Sequence, residues 1–195
     1  MKLTISKILN HWRTVRAHRR WVRYYCFMAG IPWRGLIHDL SKYSPIEFIE
    51  SARYWVGTSS PINEAKKLQG ISYAWMHHKG KNTHHYEYWM DNFDDGGIAR
   101  LMPRNDFVEL VCDYLGAARA YMGSNFSYTS ERTWWIKKRE HCAMNEKNKK
   151  MLDIIFSDLE IAENPMLINS LRSNIKTPEQ LLKSGYLQEI YERNK

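Results

Sequence analysis

The 195 residues carry 29 Lys and Arg against 21 Asp and Glu, a formal net charge of +8 that favours anionic partners, either phosphorylated small molecules or nucleic acid. This length suits one well-packed domain with an elaborated end, and aromatics at 13% supply large buried area per side chain. No apolar run is long enough to span a bilayer, Met1–Lys7 lacks the apolar stretch of a signal peptide, and Cys26, Cys112 and Cys142 show no CxxC spacing. A membrane protein, a disulfide framework and a thiolate zinc site are therefore not expected, and a cytoplasmic protein is.

Taken in chain order, the pattern predicts helices almost throughout. A long helix from about Ile5 to Ala29 carries Ile8, Trp12, Val15, Trp21, Val22 and Tyr25, and is closed by Gly30 with Pro32 beyond. A short helix from Pro32 presents Leu36, Ile37 and Leu40. Ser44-Pro45-Ile46-Glu47 places a cap hydroxyl, a first-position proline and a third-position acid in order, predicting a helix that runs to about Val56 and ends at Gly57. From about Ile62 one helix is predicted through Ala65, Leu68, Ile71, Trp75 and Met76, delivering His77-His78 at its end, followed by a turn at Gly80–Thr83. Asp94-Asp95-Gly96-Gly97 is a second break. Pro103 opens a helix with Phe107, Leu110, Val111, Tyr114 and Ala118 on one face. The tail reads as helices over about 130–163 and 178–192, separated at Asn164-Pro165, the second started by Thr177-Pro178-Glu179. No strand alternation, repeat or low-complexity tract is evident, so the expected class is all-α.

The chemistry-bearing residues gather around Gly35-Leu-Ile-His-Asp-Leu-Ser-Lys42. On a helix, neighbours point about a hundred degrees apart, so His38 and Asp39 reach one ion only if it lies between their directions and other helices bring further ligands. His18, His77-His78, His84-His85 and Asp113 are the candidates. Asp113 is followed by the small residues Gly116, Ala117, Ala118 and Ala120, which permit close helix packing. A carboxylate on that side needs a partner or a cation, whereas one facing outward lies opposite Arg119 or Arg100. His18 shares a face with His11 but has arginine neighbours, which also fits a surface histidine. Four imidazoles within nine residues suit a divalent transition metal, some as ligands and others as supports, and they equally suit a His-rich surface loop. Trp75, Tyr86, Tyr88 and Trp89 fit either base stacking or the core.

The order His18, His38-Asp39 with Lys42 three residues beyond, His77-His78 and then Asp113 within Leu110–Ala117 resembles the HD superfamily of metal-dependent phosphohydrolases. The segment Ala74–Trp89 resembles a bacterial and phage branch of it, and the resemblance covers about residues 10–120. It implies an HD-like helical bundle over 1–123; the tail over 124–195 lies outside the resemblance and is expected to add C-terminal helices packed on that bundle as a pocket cover or a homodimer contact. The resemblance further implies metal ligands among His18, His38, Asp39, His77, His78 and Asp113, and one or two divalent ions (Fe, Mn, Co, Ni or Zn). The activity implied is hydrolysis of a phosphate ester, a nucleotide included, with Asp39 as ligand, Lys42 on a phosphate oxygen, and His77, His78 or His84 completing a second metal site or donating a proton. Two departures stand out: His77-His78 are not followed directly by Glu, nor later by an Asp-Gly…Gly-Tyr-Pro run, and Lys42 occupies a position where some nucleotidase branches carry Glu. Two rival readings follow from the same residues. One is a di-iron HD-type oxygenase. The other is a non-enzymatic basic helical module that binds nucleic acid or protein through Arg13–Arg23 and Lys137-Lys138-Arg139.

Overall fold

A computed structural model describes residues 1–164 and 176–195. Among the described residues the chain is all-α apart from one two-stranded hairpin. Helix α1 (Ile5–Met28) begins where the Thr4 hydroxyl accepts from the Lys7 amide at 3.3 Å and ends before Gly30, whose φ of +73° only glycine adopts without strain. Its buried stripe, His11, Val15, His18, Val22 and Tyr25, follows the three-and-four spacing of one helical face. That stripe lies on α6 (Arg104–Met122), and α1 with α6 is the most extensive helix pairing among the described residues. Val22, Val111 and Leu115 are fully buried around this pairing, each contributing on the order of 1.5–3 kcal/mol.

Gly116 sets how close the two helices come. A Cβ built there would lie 2.5 Å from Val22 Cγ2 and 2.8 Å from the Val22 backbone nitrogen. The small residues after Asp113 thus perform the close packing that their size suggests. Helix α2 (Pro32–Ile37) nests equally closely on α1, because a Cβ on Gly35 would lie 2.7 Å from Cys26 Cβ.

Helix α3 (Pro45–Tyr54) begins at the proline the sequence indicates, but the Ser44 hydroxyl makes no capping bond and Glu47 turns inward, away from a capping role. The single helix expected from Ile62 to His78 is two. Helix α4 (Pro61–Gln69) stops at Gly70, left-handed at φ +79°, and α5 (Tyr73–Lys81) restarts with the Ser72 hydroxyl accepting from the Trp75 amide. His77-His78 therefore lie in mid-helix, and the turn expected at Gly80 comes later, at Asn82. Residues 90–99 hold the unexpected hairpin, β1 (Met90–Asp91) with β2 (Ile98–Ala99), antiparallel with Met90 opposite Ala99. Its strands are too short for any alternation to be visible.

The tail adds α7 (Tyr128–Arg139), α8 (Glu146–Glu163), α9 (Pro178–Lys183) and α10 (Tyr186–Asn194), with 130–163 divided at His141–Asn145. Asn164 caps α8, and the Pro165 of the predicted break lies outside the described residues. One apolar core runs from Val22 and Phe107 through Trp135, Leu152 and Phe156 to Leu187 and Tyr191, so the tail helices share it with α1 and α6. Among the described residues no helix is long and apolar enough to cross a membrane.

Candidate metal centre

The His-Asp doublet does not sit on a helix. His38 is the extended cap that ends α2, and Asp39 is left-handed (φ +54°, ψ +28°) ahead of a short 3-10 helix, Leu40–Tyr43. That break turns both side chains to one point, where successive positions on a helix would point about a hundred degrees apart. A left-handed non-glycine residue costs on the order of 1 kcal/mol, least for Asp and Asn.

Around the doublet the structure gathers His18 from α1 and Asp113 from α6, all buried. His18 Nε2 lies 3.0 Å from Asp39 Oδ2 and 3.2 Å from Asp113 Oδ1. His38 Nε2 lies 3.2 Å from Asp39 Oδ2 and 3.3 Å from His18 Nε2. Donor atoms that share an ion at about 2.0–2.2 Å stand on the order of 3 Å apart, so this spacing fits a cation.

The other oxygen of Asp39 faces a second group. Oδ1 lies 3.2 Å from His78 Nε2 and 3.4 Å from His84 Nε2, with His85 Nε2 completing a set whose donor atoms all lie within 4.8 Å of one another. These four atoms are buried, and none makes a hydrogen bond. Each such orphan costs about 1–3 kcal/mol, and four converging on one spot is what a bound cation offsets. Asp39 thus belongs to both groups, one through each oxygen.

Carboxylates behind the imidazoles fix which nitrogen points inward. Glu109 Oε1 is 2.8 Å from His38 Nδ1 and 3.2 Å from His84 Nδ1, while Glu47 Oε2 is 2.7 Å from His78 Nδ1. With Nδ1–H donating outward, the Nε2 lone pairs face the centre. His38, His84 and Glu109 also satisfy the spacing of a three-donor site. Arg34 Nε donates to Glu109 Oε2 at 2.5 Å, however, and a guanidinium there argues against a third cation. Burial pushes the Glu109 pKa up, but the bonds from His38 and His84 outweigh it and hold it at about 2. Burial likewise opposes ionisation of Asp113, and the imidazoles of His18 and His38 overcome it, keeping its pKa well below the carboxylate range. Burial lowers the His38 pKa, yet Asp39, Asp113 and Glu109 together hold it well above its ordinary value.

Of the residues singled out in the sequence, His18, His38, Asp39, His78 and Asp113 converge. His77 does not join them: its Nδ1 turns to Glu47 Oε1 at 2.6 Å, one position round the helix from His78. His84, expected either to complete a second metal site or to donate a proton, lies among the donor atoms, beside His85. Lys42 is paired with Asp39 Oδ2 from one turn away, so its ammonium steadies the shared carboxylate. Trp75 lines the cavity described next, whereas Tyr86 and Trp89 pack against the core and Tyr88 is exposed. The three thiols are free and buried, and none belongs to a donor group.

Two contributors, Glu109 and Glu47, escaped the sequence reading, and two others, His85 and His11, were noticed in it without a settled role. Glu109 is one turn before Asp113, a spacing that could have revealed it, and Glu47 was absorbed by its capping pattern. His85 was not separable from its neighbour. His11, seven residues before His18, lines the cavity, and its Nδ1 is buried without a partner. Burial, then the nearby Lys42 charge, lower its pKa to about 4, so it is neutral at pH 7.

A cavity of about 210 Å³ opens onto both groups, reaching His18 and Asp113 of one and His78 and His85 of the other. Val15, Ile62, Trp75 and Tyr121 make its apolar wall, and His11, Thr14, Lys42 and Ser60 its polar side. An all-α chain with a buried histidine–carboxylate centre that can hold metal, and a pocket above it, is the class that fold and site define. Within that class the chain belongs to the family of unknown function DUF5662, whose profile matches residues 7–158 and so includes every member of the centre. No curated protein and no solved structure matches it.

Proposed function

We propose that this chain is a metal-dependent phosphohydrolase of the HD type, holding two divalent ions and acting on a small phosphate ester, nucleotides among the candidates. The observation that carries the reading is the two-sided use of Asp39. Its Oδ2 meets His18 and His38, its Oδ1 meets His78 and His84, and the cavity touches both sets. His18, His38, Asp39 and Asp113 would hold one ion, and Asp39, His78, His84 and His85 the other. Bound there, divalent ions supply Lewis acidity and lower the pKa of bound water towards neutrality.

The protein's own part is positioning. Glu47 and Glu109 orient the imidazoles, and Lys42 holds Asp39 while placing a positive charge at the cavity edge, suited to a phosphoryl oxygen. Neutral His11 offers its unpartnered Nδ1 to a substrate hydroxyl or ester oxygen. Trp75, Ile62 and Tyr121 accommodate an apolar or planar group, and a cavity this size selects a small substrate.

The test is protein purified without a histidine tag, analysed for metal and assayed against phosphomonoesters, nucleotides and phosphodiesters. Two metal equivalents and phosphate release, both lost in Asp39→Asn, are expected. Full metal content with no release from any of the three classes would overturn hydrolysis. A ferric absorption band with oxygen uptake would move the assignment to an oxygenase.

A further inference from the structure

On the face of α1 opposite the metal centre lies a feature that the phosphohydrolase reading does not use. Helix α1 contains Lys7, Arg13, Arg16, Arg19, Arg20 and Arg23 and no carboxylate, so three quarters of the +8 net charge sits on one helix. The five arginines, with Trp12 and Tyr43, line a groove of about 460 Å³. Among the described residues none of the five has an acidic partner, whereas Arg34, Arg104, Arg132 and Arg139 elsewhere each do.

The side chains are held in place without neutralisation. The Arg16 guanidinium lies 4.5 Å from the Trp12 ring centroid, and that of Arg19 lies 5.3 Å from Tyr43. Arg19 also donates to the His38 carbonyl at 2.8 Å and the Leu36 carbonyl at 3.0 Å, fastening one wall of the groove. Both aromatic rings stay more than one third exposed.

We propose that this groove binds the backbone of single-stranded nucleic acid, independently of the phosphate ester bound at the metal centre. Arg13 to Arg23 span about 15 Å along the helix, enough for several consecutive phosphates. Guanidinium forks match phosphate geometry, and Trp12 and Tyr43 offer faces on which bases stack. A concave groove with cationic walls admits a flexible strand. A flat bilayer cannot enter it, and a duplex would need a convex element to insert into its own groove.

The probe is fluorescein-labelled (dT)20 and (rU)20, read by anisotropy between 50 and 200 mM NaCl. Single-strand contacts change the logarithmic salt slope by about −0.7 per phosphate, so three contacts predict a weakening of at least tenfold over this range. Arg16→Gln with Arg20→Gln should weaken binding about tenfold at 50 mM and make the slope shallower, with circular dichroism and melting temperature unchanged. Arg19 is left intact because it supports His38. Trp12→Ala should weaken binding while leaving the slope as it was. Asp39→Asn should bind the oligonucleotide as wild type does, which separates this proposal from the fate of the hydrolase reading.

No binding at 50 mM, binding unaffected by the double arginine variant, or binding lost in Asp39→Asn would each overturn it. So would phosphatidylserine vesicles that bind the protein and are not displaced by the oligonucleotide.

Discussion

Replacing Gly116 by alanine tests how the fold sets the metal centre. Gly116 is one turn after Asp113 on α6, and Val22, which it touches, is one turn after His18 on α1. The added Cβ would lie 2.5 Å from Val22 Cγ2 and 2.8 Å from the Val22 nitrogen, against about 3.5–4.0 Å for relaxed contact. Val22 can rotate its methyl away but not its backbone, so α1 must retreat from α6 by about 0.7–1 Å. His18 rides on α1 and Asp113 on α6, now 3.2 Å apart, and metal sites tolerate only about 0.2 Å in ligand distance. Overpacking of this kind costs about 1–3 kcal/mol, which for a chain of this size lowers the melting temperature by about 2–12 °C. Metal affinity should fall as well, because His18 and Asp113 no longer meet one ion. Elemental analysis after dialysis against a weak chelator, with melting curves before and after metal addition, reads both effects. A Gly116→Ala protein with wild-type melting temperature and wild-type metal retention would refute the claim that this contact sets the spacing of the centre.

Three further outcomes follow from the same geometry. Asp39→Asn and Asp39→Ala should both lose metal, but in chelator-treated protein the alanine variant should melt lower, because Ala bears the left-handed conformation at up to about 1 kcal/mol more; equal melting temperatures would contradict this. Glu109→Gln removes the negative charge behind His38 and His84 and one of the two acidic partners of Arg34, leaving a single neutral acceptor oxygen, and should lower metal affinity by about 10–100-fold in chelator competition while most of the fold remains. Glu131, buried on α7, has its pKa pushed up to about 8, by burial first with the Asp113 charge adding to it and Lys138 opposing. The folded state therefore keeps a proton that the unfolded chain releases above its ordinary carboxylate pKa. Stability attributable to Glu131 is fully present below the ordinary carboxylate pKa of 4.5 and is lost as pH rises from there through about 8, by up to about 5 kcal/mol in total. Urea titrations at pH 5 and pH 9 should show that loss shrinking in Glu131→Gln, and an unchanged loss would contradict the assignment.

Much of the fold was legible because its signals are local. Gly30 closes α1, Pro45 starts α3, Pro103 precedes α6 and Thr177 caps α9, each by chemistry contained within a few residues. The break at Gly70 was missed because the apolar spacing of Ala65, Leu68, Ile71 and Trp75 continues across it, although the glycine that stops α4 is visible. The hairpin was missed because its strands have two residues each. His77 and His78 show a different limit. Adjacent identical side chains on one helix point about a hundred degrees apart, and only the position of α3 decides that His78 faces Asp39 while His77 faces Glu47 alone.

Glu47 and Glu109 show why the supporting layer is harder to read than the ligands. Each has a sufficient local explanation, one as the third residue of a capped helix, the other as an acid beside Asp106 on a helix that reads as amphipathic. Their partners are 31 and 71 residues away in sequence, so no window along the chain contains the interaction. Asp39 combines both kinds of information. Its residue type beside His38 points to an ion, but its use by two groups depends on a left-handed backbone that nothing in Leu36–Ser41 requires. That conformation persists because α1, α5 and the loop carrying His84 all place partners around the one carboxylate it presents. The local strain at Asp39 is thus sustained by the whole helical assembly, and its expected signature is that metal loosens in any variant that moves one of those three elements.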